Sequence, residues 1–358
     1  MSHLLFEPIT LRGVTVRNRI WVPPMCQYSV DTHDGVANSW HMVHYGSMAR
    51  GGAGAIIVEA TGVTPQGRIS REDLGLWSDD QRDALAPIVE FMHSQGATAG
   101  IQLAHAGRKA SVWPEWGVEE EGSLPGEAGG WETVAPSALA FPGLNEPREL
   151  SAGEIAQLTQ DFVAAARRAV DAGFDLVEIH AAHGYLFHEF LSPLSNSRSD
   201  AYGGSAENRA RILLETVDAV RAEVGEDVPM LVRLSATDWR SDGLSLADSA
   251  LLAQWLKEHG VDLIDVSTGG NGPAEIPVGP GYQVSAAAAV RSEGGIATAA
   301  VGMIDEPFQA EQILATGQAD VVLIGRQSLR DPNFPIRGAA ALRYELPYRP
   351  EQYRRAYR

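Results

Sequence analysis

Apolar and polar positions along this chain alternate between two patterns. Short runs of consecutive apolar, often β-branched residues are separated by longer stretches in which apolar residues recur every three or four positions. The first pattern belongs to a strand buried on both faces, the second to a helix with one buried side. Eight strands are predicted: Arg19–Pro23, Ala55–Glu59, Thr98–Leu103, Leu176–His180, Met230–Leu234, Leu263–Ser267, Ile296–Ala300 and Val321–Ile324. Helices are predicted near Ser39–Arg50, Gln81–Gln95, Ala152–Ala172, Ala206–Glu223, Ala247–His259 and Pro307–Thr316. Ser151-Ala-Gly-Glu154 fits a capping box, and Asp79 is suited to cap the helix that follows it. Gly96, Gly173, Gly225, Gly260 and Gly317 each follow a helix, where a left-handed residue is wanted.

Strand and helix alternating eight times imply a parallel sheet. Within 358 residues, eight units fit a closed α/β barrel, the (β/α)8 TIM barrel, as one domain over 1–358. An open doubly wound sheet is the alternative. Its usual Gly-x-Gly-x-x-Gly after the first strand is missing, and that strand runs instead into Pro23-Pro24-Met25-Cys26. Two regions break the alternation. Residues 111–148, after the third strand, are rich in Gly, Pro, Trp and Glu and read as a long irregular loop capping the face that carries chemistry. The tail, 344–358, holds four arginines and four tyrosines in an otherwise acidic chain. It reads either as a disordered end or as a segment that docks on something, such as a neighbouring subunit.

Composition narrows the partners. The formal net charge of −18 argues against nucleic acid and anionic membrane, which need a basic footprint, and is also what solubility alone would produce. Cys26 is the single cysteine, so an intramolecular disulfide and a cysteine-ligated zinc or iron–sulfur site within the chain are excluded. No signal peptide and no bilayer-length apolar run is evident, and cytoplasm is the expected location.

In a barrel of this kind, chemistry is placed at the C-terminal ends of the strands. The fourth strand ends in His180-Ala-Ala-His183-Gly184-Tyr185. Two imidazoles and a phenol there can grip an oxygen and deliver a proton. The alternatives are a satisfied core histidine and a metal site, for which only His188 offers a nearby third ligand. Gly270, Gly302 and Gly325 follow the last three strands, and Arg326 follows Gly325. Glycines after strands seven and eight allow backbone N–H groups to approach a phosphate, although each alone is explained by a tight turn. Gln102 and Arg233 enter the same mouth from different strands. They suit the pyrimidine edge of a flavin, or equally a buried polar pair.

These motifs resemble the Old Yellow Enzyme family of FMN-dependent NAD(P)H ene-reductases, in its thermophilic-like bacterial class. The marks are Arg17-Asn-Arg-Ile20, Pro23-Pro24-Met25-Cys26-Gln27-Tyr28, Trp40-His-x-x-His44-Tyr, Gln102-Leu-x-His105-Ala-Gly-Arg108-Lys109, and His180-Ala-Ala-His183-Gly184-Tyr185-Leu186. The resemblance implies non-covalent FMN lined by Pro23, Pro24, Met25, Cys26, Ala60, Gln102 and Arg233, with its phosphate on Gly302, Gly325 and Arg326. It implies reduction by NADPH or NADH, and enone-type substrates: α,β-unsaturated carbonyls, nitroalkenes or maleimides. His180 and His183 would hold the substrate oxygen, Tyr28 would contact substrate, and Tyr185 would donate the proton. It also implies a homodimer or homotetramer in which a tail arginine, here Arg355, reaches a neighbouring site. Two rivals stand beside this reading: a metal-dependent barrel hydrolase built on the histidines, and a flavin-binding module without turnover.

Overall fold

The computed structural model describes residues 3–357. Eight parallel strands close a barrel in chain order: β1 (Ile20–Val22), β2 (Ala55–Gly62), β3 (Thr98–Ala104), β4 (Leu176–Ala181), β5 (Met230–Ser235), β6 (Leu263–Ser267), β7 (Ala297–Ala300) and β8 (Val321–Leu323). Val322 opposite Ile20 and Leu323 opposite Trp21 join β8 to β1 and shut the cylinder. The expected TIM barrel is the fold, and each predicted strand lies within a few residues of an observed one.

The helices of eight or more residues are α1 (Ser39–Arg50), α2 (Asp79–Ser94), α3 (Ala152–Asp171), α4 (Ala206–Val224), α5 (Leu246–Glu258), α6 (Val284–Gly294), α7 (Pro307–Ala315) and α8 (Phe334–Ala341). Two of these, α6 and α8, are absent from the helices predicted. The buried face of α6 is Val284, Ala286, Ala287 and Val290, too small-sided to give a strong helical period. That smallness serves packing, because a Cβ on Gly294 would stand 2.8 Å from Ala253 of α5. Asp79 is not the cap of α2. Ser78 occupies that position, and the Gln81 side-chain oxygen accepts its backbone N–H at 3.0 Å. The Ser151–Glu154 capping box of α3 forms as expected. All five glycines predicted to follow helices have positive φ, between 71° and 97°.

Alternate strand residues fill the barrel in layers. Trp21, Ile57, Leu176, Leu231, Leu263 and Val321 form an apolar floor, each buried and each stabilising by about 2 kcal/mol. A hairpin of Ile9–Leu11 with Val14–Val16, which the pattern did not predict, adds Leu11 and Val16 to this cluster. Gly100 leaves room for the floor, since a Cβ there would come within 2.4 Å of Leu176. One layer up, the inward residues become polar: Gln102, Glu178, Arg233 and Asp265.

The N-terminal rim is closed by a repeated device. Asp175, Asp262 and Asp320 stand just before β4, β6 and β8. Their carboxylates accept the backbone N–H of Ala99, Met230 and Thr298 on the preceding strand at 2.7, 2.8 and 3.0 Å. Among the described residues no helix is long and apolar enough to cross a membrane.

Candidate active site

The end of β4 places His180 on the strand and His183 just beyond it, with a left-handed backbone at His183 (φ 58°) and Gly184 (φ 74°). Gly184 is required by contact: a Cβ there would lie 2.3 Å from the carbonyl oxygen of Gly270, in the loop after β6. The Nε2 of His180 and the Nδ1 of His183 stand 3.4 Å apart, and the Tyr185 ring meets the His180 ring edge-on at 5.0 Å. The backbone N–H of Ala182 donates to Nδ1 of His180 at 3.2 Å, so the neutral ring carries its proton on Nε2, facing His183. His183 Nε2 lies 2.7 Å from the Ser267 hydroxyl, whose own proton goes to Gln283 Oε1 at 3.2 Å. In this arrangement His183 carries its proton on Nε2, and the proton moves to Nδ1 only if Ser267 turns to donate to Nε2.

Burial and the nearby Arg233 guanidinium hold both imidazoles well below the usual histidine range, so they are neutral N–H donors. Burial pushes the Tyr185 phenol and the Cys26 thiol up, so both keep their protons. Tyr28, Cys26 and Tyr185 pack around Ile69, and Ala60 shares a small pocket with Tyr185. Tyr28 has φ 48° and meets Trp116 of the capping loop edge-on at 5.0 Å.

Beside this group, a cavity of about 220 Å³ opens among the ends of β1, β5, β6, β7 and β8. Pro23, Pro24, Met25, Arg233, Gly302, Gly325 and Arg326 line it. A Cβ on Gly325 would point at Pro23 Cγ (3.5 Å) and Met25 Sδ (3.6 Å), filling part of that space. Arg326 is exposed and makes no recorded hydrogen bond or ion pair with a described residue, in a chain where nearly every arginine has one. Glycine backbone and an unspent guanidinium fit an anionic, phosphate-bearing group. Gln102 Nε2 donates to Glu178 at 2.7 Å, and Arg233 Nε lies 2.9 Å from Asp265. Seven of the ten residues read from the sequence as a flavin cradle thus line one cavity, Cys26, Ala60 and Gln102 lying outside its lining, and the chemistry of those seven fits FMN.

The tail stays apart from this mouth in its own chain. Tyr348 hydrogen-bonds Asn18 and stacks on Arg17, and Tyr353 bonds Arg50 at 2.5 Å, at the opposite, N-terminal end of the barrel. Arg355 is exposed and is not brought to its own chain's site. His188 does not join the other histidines. Its Nδ1 accepts from Gly184 N–H at 2.9 Å, and its Nε2 lies 3.0 Å from Asp238. No group of three His, Cys, Asp or Glu converges to hold a metal among the described residues.

Several contributors had been given no role in the site from the sequence. Lys109 Nζ donates to the carbonyls of His183 (2.8 Å) and Gly270 (3.2 Å), and sits 5.0 Å above the Tyr185 ring and 4.7 Å from that of Phe141. It pins together the two loops that carry the site. Ser267 backs His183, and Gln283 backs Ser267 at 3.2 Å. Glu178 and Asp265 hold Gln102 and Arg233. A signal existed for this last pair, because each is a charged residue in the middle of an apolar strand, a costly placement without a partner. For Gln283 none existed.

Fold and site together define a flavin-binding barrel oxidoreductase. The family model for NADH:flavin oxidoreductases / NADH oxidases matches residues 4–345, and the chain belongs to this family, that of the Old Yellow Enzymes. The NADPH dehydrogenase of Geobacillus thermodenitrificans (strain NG80-2) is 50% identical over 359 residues, covering 100% of both chains. Morphinone reductase in complex with tetrahydroNAD superposes with a TM-score of 0.79 at 29% identity, covering 97% of this chain and 93% of that one. The Old Yellow Enzyme homologue from Zymomonas mobilis superposes with a TM-score of 0.78 at 30% identity, covering 97% and 95%. The protein is an NAD(P)H:flavin oxidoreductase with FMN as cofactor.

Proposed function

We propose that the protein reduces the activated C=C bond of α,β-unsaturated carbonyls, nitroalkenes or maleimides at the expense of NADPH. The observation that carries this reading is the juxtaposition of two neutral imidazoles with a protonated phenol at the mouth of the cofactor cradle. When bound, FMN would supply the redox chemistry, the carriage of a hydride from the nicotinamide to the β-carbon of the alkene.

His180 offers Nε2–H to the substrate oxygen, with its tautomer fixed by Ala182. His183 offers Nδ1–H once the Ser267 hydroxyl turns to donate to its Nε2. Both bonds strengthen as negative charge builds on that oxygen, which lowers the barrier rather than merely tightening binding. Tyr185 holds the proton for the α-carbon, and burial keeps it on the phenol until the carbanion-like carbon forms. Tyr28 and Trp116 wall the substrate from the side of β1 and the capping loop, excluding water. Pro23, Pro24, Met25, Cys26 and Ala60 would line the flavin ring. Gln102 and Arg233 would meet its pyrimidine edge, and Gly302, Gly325 and Arg326 its phosphate. We also assign the protein a homo-oligomeric state, dimer or tetramer, in which Arg355 completes a neighbour's site.

The test is anaerobic. The FMN-loaded protein is reduced with NADPH and then mixed with cyclohexenone or N-ethylmaleimide while the flavin absorbance is followed. Tyr185→Phe should slow reoxidation by about 100-fold while leaving reduction intact. Equal loss in both half-reactions would remove Tyr185 from the proton-donor role. Absence of flavin reduction by NADPH would sink the reading itself.

A further inference from the structure

Above the apolar floor, four side chains from β3 to β6 cross the barrel as one polar layer. Glu178 lies between Leu176 and His180 on β4, and Arg233 between Leu231 and Ser235 on β5. Asp265 lies between Leu263 and Ser267 on β6. The sheet register sets Gln102 opposite Glu178 and Arg233 opposite Asp265. Gln102 Nε2 donates to Glu178 Oε1 at 2.7 Å, and Arg233 Nε approaches Asp265 Oδ2 at 2.9 Å. Both carboxyls are 0% exposed. Glu178 Oε2 and both Asp265 oxygens receive no well-directed hydrogen bond from a described residue.

The charges do not match: two carboxyls face one guanidinium. An ionised carboxylate without a cation is too costly in such a place, so one of the two keeps its proton. Contact decides which. Asp265 touches the guanidinium, whereas Glu178 touches an amide. The electrostatics agree: burial and repulsion from Asp265 push Glu178 well above the ordinary carboxylate range. Asp265, also raised by burial but pulled down by Arg233, comes to about 6.

We propose that Glu178 and Asp265 are positioning residues for the flavin edge: Asp265 tethers Arg233 and cancels its charge, while Glu178, uncharged, fixes the amide of Gln102. This rests on the reading above that places Gln102 and Arg233 against the flavin. The layer is then neutral, and the edge of the bound cofactor feels oriented dipoles rather than a bare cation. The pair is also self-correcting. Loss of Asp265's charge leaves Glu178 as the nearest carboxyl to Arg233, free to ionise in its place.

The FMN-loaded protein and its variants decide this through the flavin midpoint potential and the infrared band of protonated carboxyls. Glu178→Gln should remove one such band and leave the potential at the parent value. Asp265→Asn should also remove that band, as Glu178 ionises, with only a partial change in potential. The double variant D265N/E178Q should raise the potential above either single variant, because the guanidinium then stands uncompensated and favours reduced, anionic flavin. A Glu178→Gln spectrum identical to the parent, or a potential raised by Glu178→Gln as far as by the double change, would overturn the proposal. If Asp265→Asn compromises folding, the Glu178→Gln spectrum and potential still decide it. Failure of the underlying reading looks different. Arg233→Met would then leave FMN affinity unchanged, whereas intact dependence on Arg233 with flat potentials overturns the present proposal alone.

Discussion

The two ends of the barrel treat polar groups in opposite ways. At the N-terminal rim they are spent on one another. Asp262 takes bonds from Arg12 (2.5 Å), Arg221 (2.9 Å) and the Met230 N–H (2.8 Å), and Arg17 donates to the carbonyls of Ala49, Ala53 and Gln95. At the C-terminal rim they are held but left unspent. His180 faces another imidazole at 3.4 Å, and Arg326 has no recorded partner among the described residues. Satisfied groups stabilise the fold, while groups positioned but unpaired are what a ligand can use. The same closed sheet supports both ends, so the difference lies in side chains rather than in backbone.

The largest effect expected from breaking this contrast is at the C-terminal rim. His180→Ala removes the donor whose tautomer is fixed, and should slow enone-driven reoxidation by about 100-fold while the melting temperature barely moves. Stopped-flow kinetics with thermal unfolding of the same sample separates the two. The reciprocal change, Asp262→Ala, should cost about 2 kcal/mol of stability, because three donors lose their acceptor, and leave both half-reactions near parent rates. A large kinetic loss in that variant would erase the distinction between the ends.

Lys109 sharpens the comparison, being a charge spent wholly within the C-terminal rim. Burial, the main cause, and Arg108 bring its ammonium down to about 8, against the pull of Glu189. It is charged below that pH and neutral above it, so its grip on the His183 and Gly270 carbonyls weakens as pH rises. Reoxidation should fall several-fold across pH 8, and Lys109→Met should be slower throughout with that alkaline step gone. Glu189, itself raised to about 8 by burial, faces Lys109, and Glu189→Gln is the control that must keep the step.

The smallest effect concerns Glu59, whose carboxyl accepts from the Gln27 N–H (2.6 Å) and the Tyr45 hydroxyl (2.9 Å) behind Cys26. Burial raises it to about 8 from an ordinary 4.5. In the unfolded chain it loses its proton near the ordinary value, so the folded state binds more protons between the two. Stability therefore falls as pH rises from about 4.5 to 8. Glu59→Gln should flatten that part of the melting-temperature profile; an unchanged slope would assign the loss to other groups.

Much of this was legible in the chain. The eight strands were readable because residues buried on both faces leave continuous apolar runs, and their ends named one rim. The cradle residues Pro23, Pro24, Met25, Arg233, Gly302, Gly325 and Arg326 do line one cavity. Asp79 lost its capping role to Ser78 because a cap depends on where the first turn starts, a matter of one residue. Helix α6 was silent because its buried face is built of small residues, alanine, valine and glycine, packed close to α5.

By itself, then, the sequence determined the alternation, the barrel and the residues that end each strand, since these depend on local periodicity and on neighbours close along the chain. Only the tertiary structure decided who holds those residues. Lys109 reaches across 74 positions to His183 and 161 to Gly270, and Glu178 meets Gln102 across 76. It also laid the tail against Arg17 and Arg50, away from its own mouth. Such contacts leave no period in the sequence, because closure of the barrel, rather than spacing along the chain, brings their partners together.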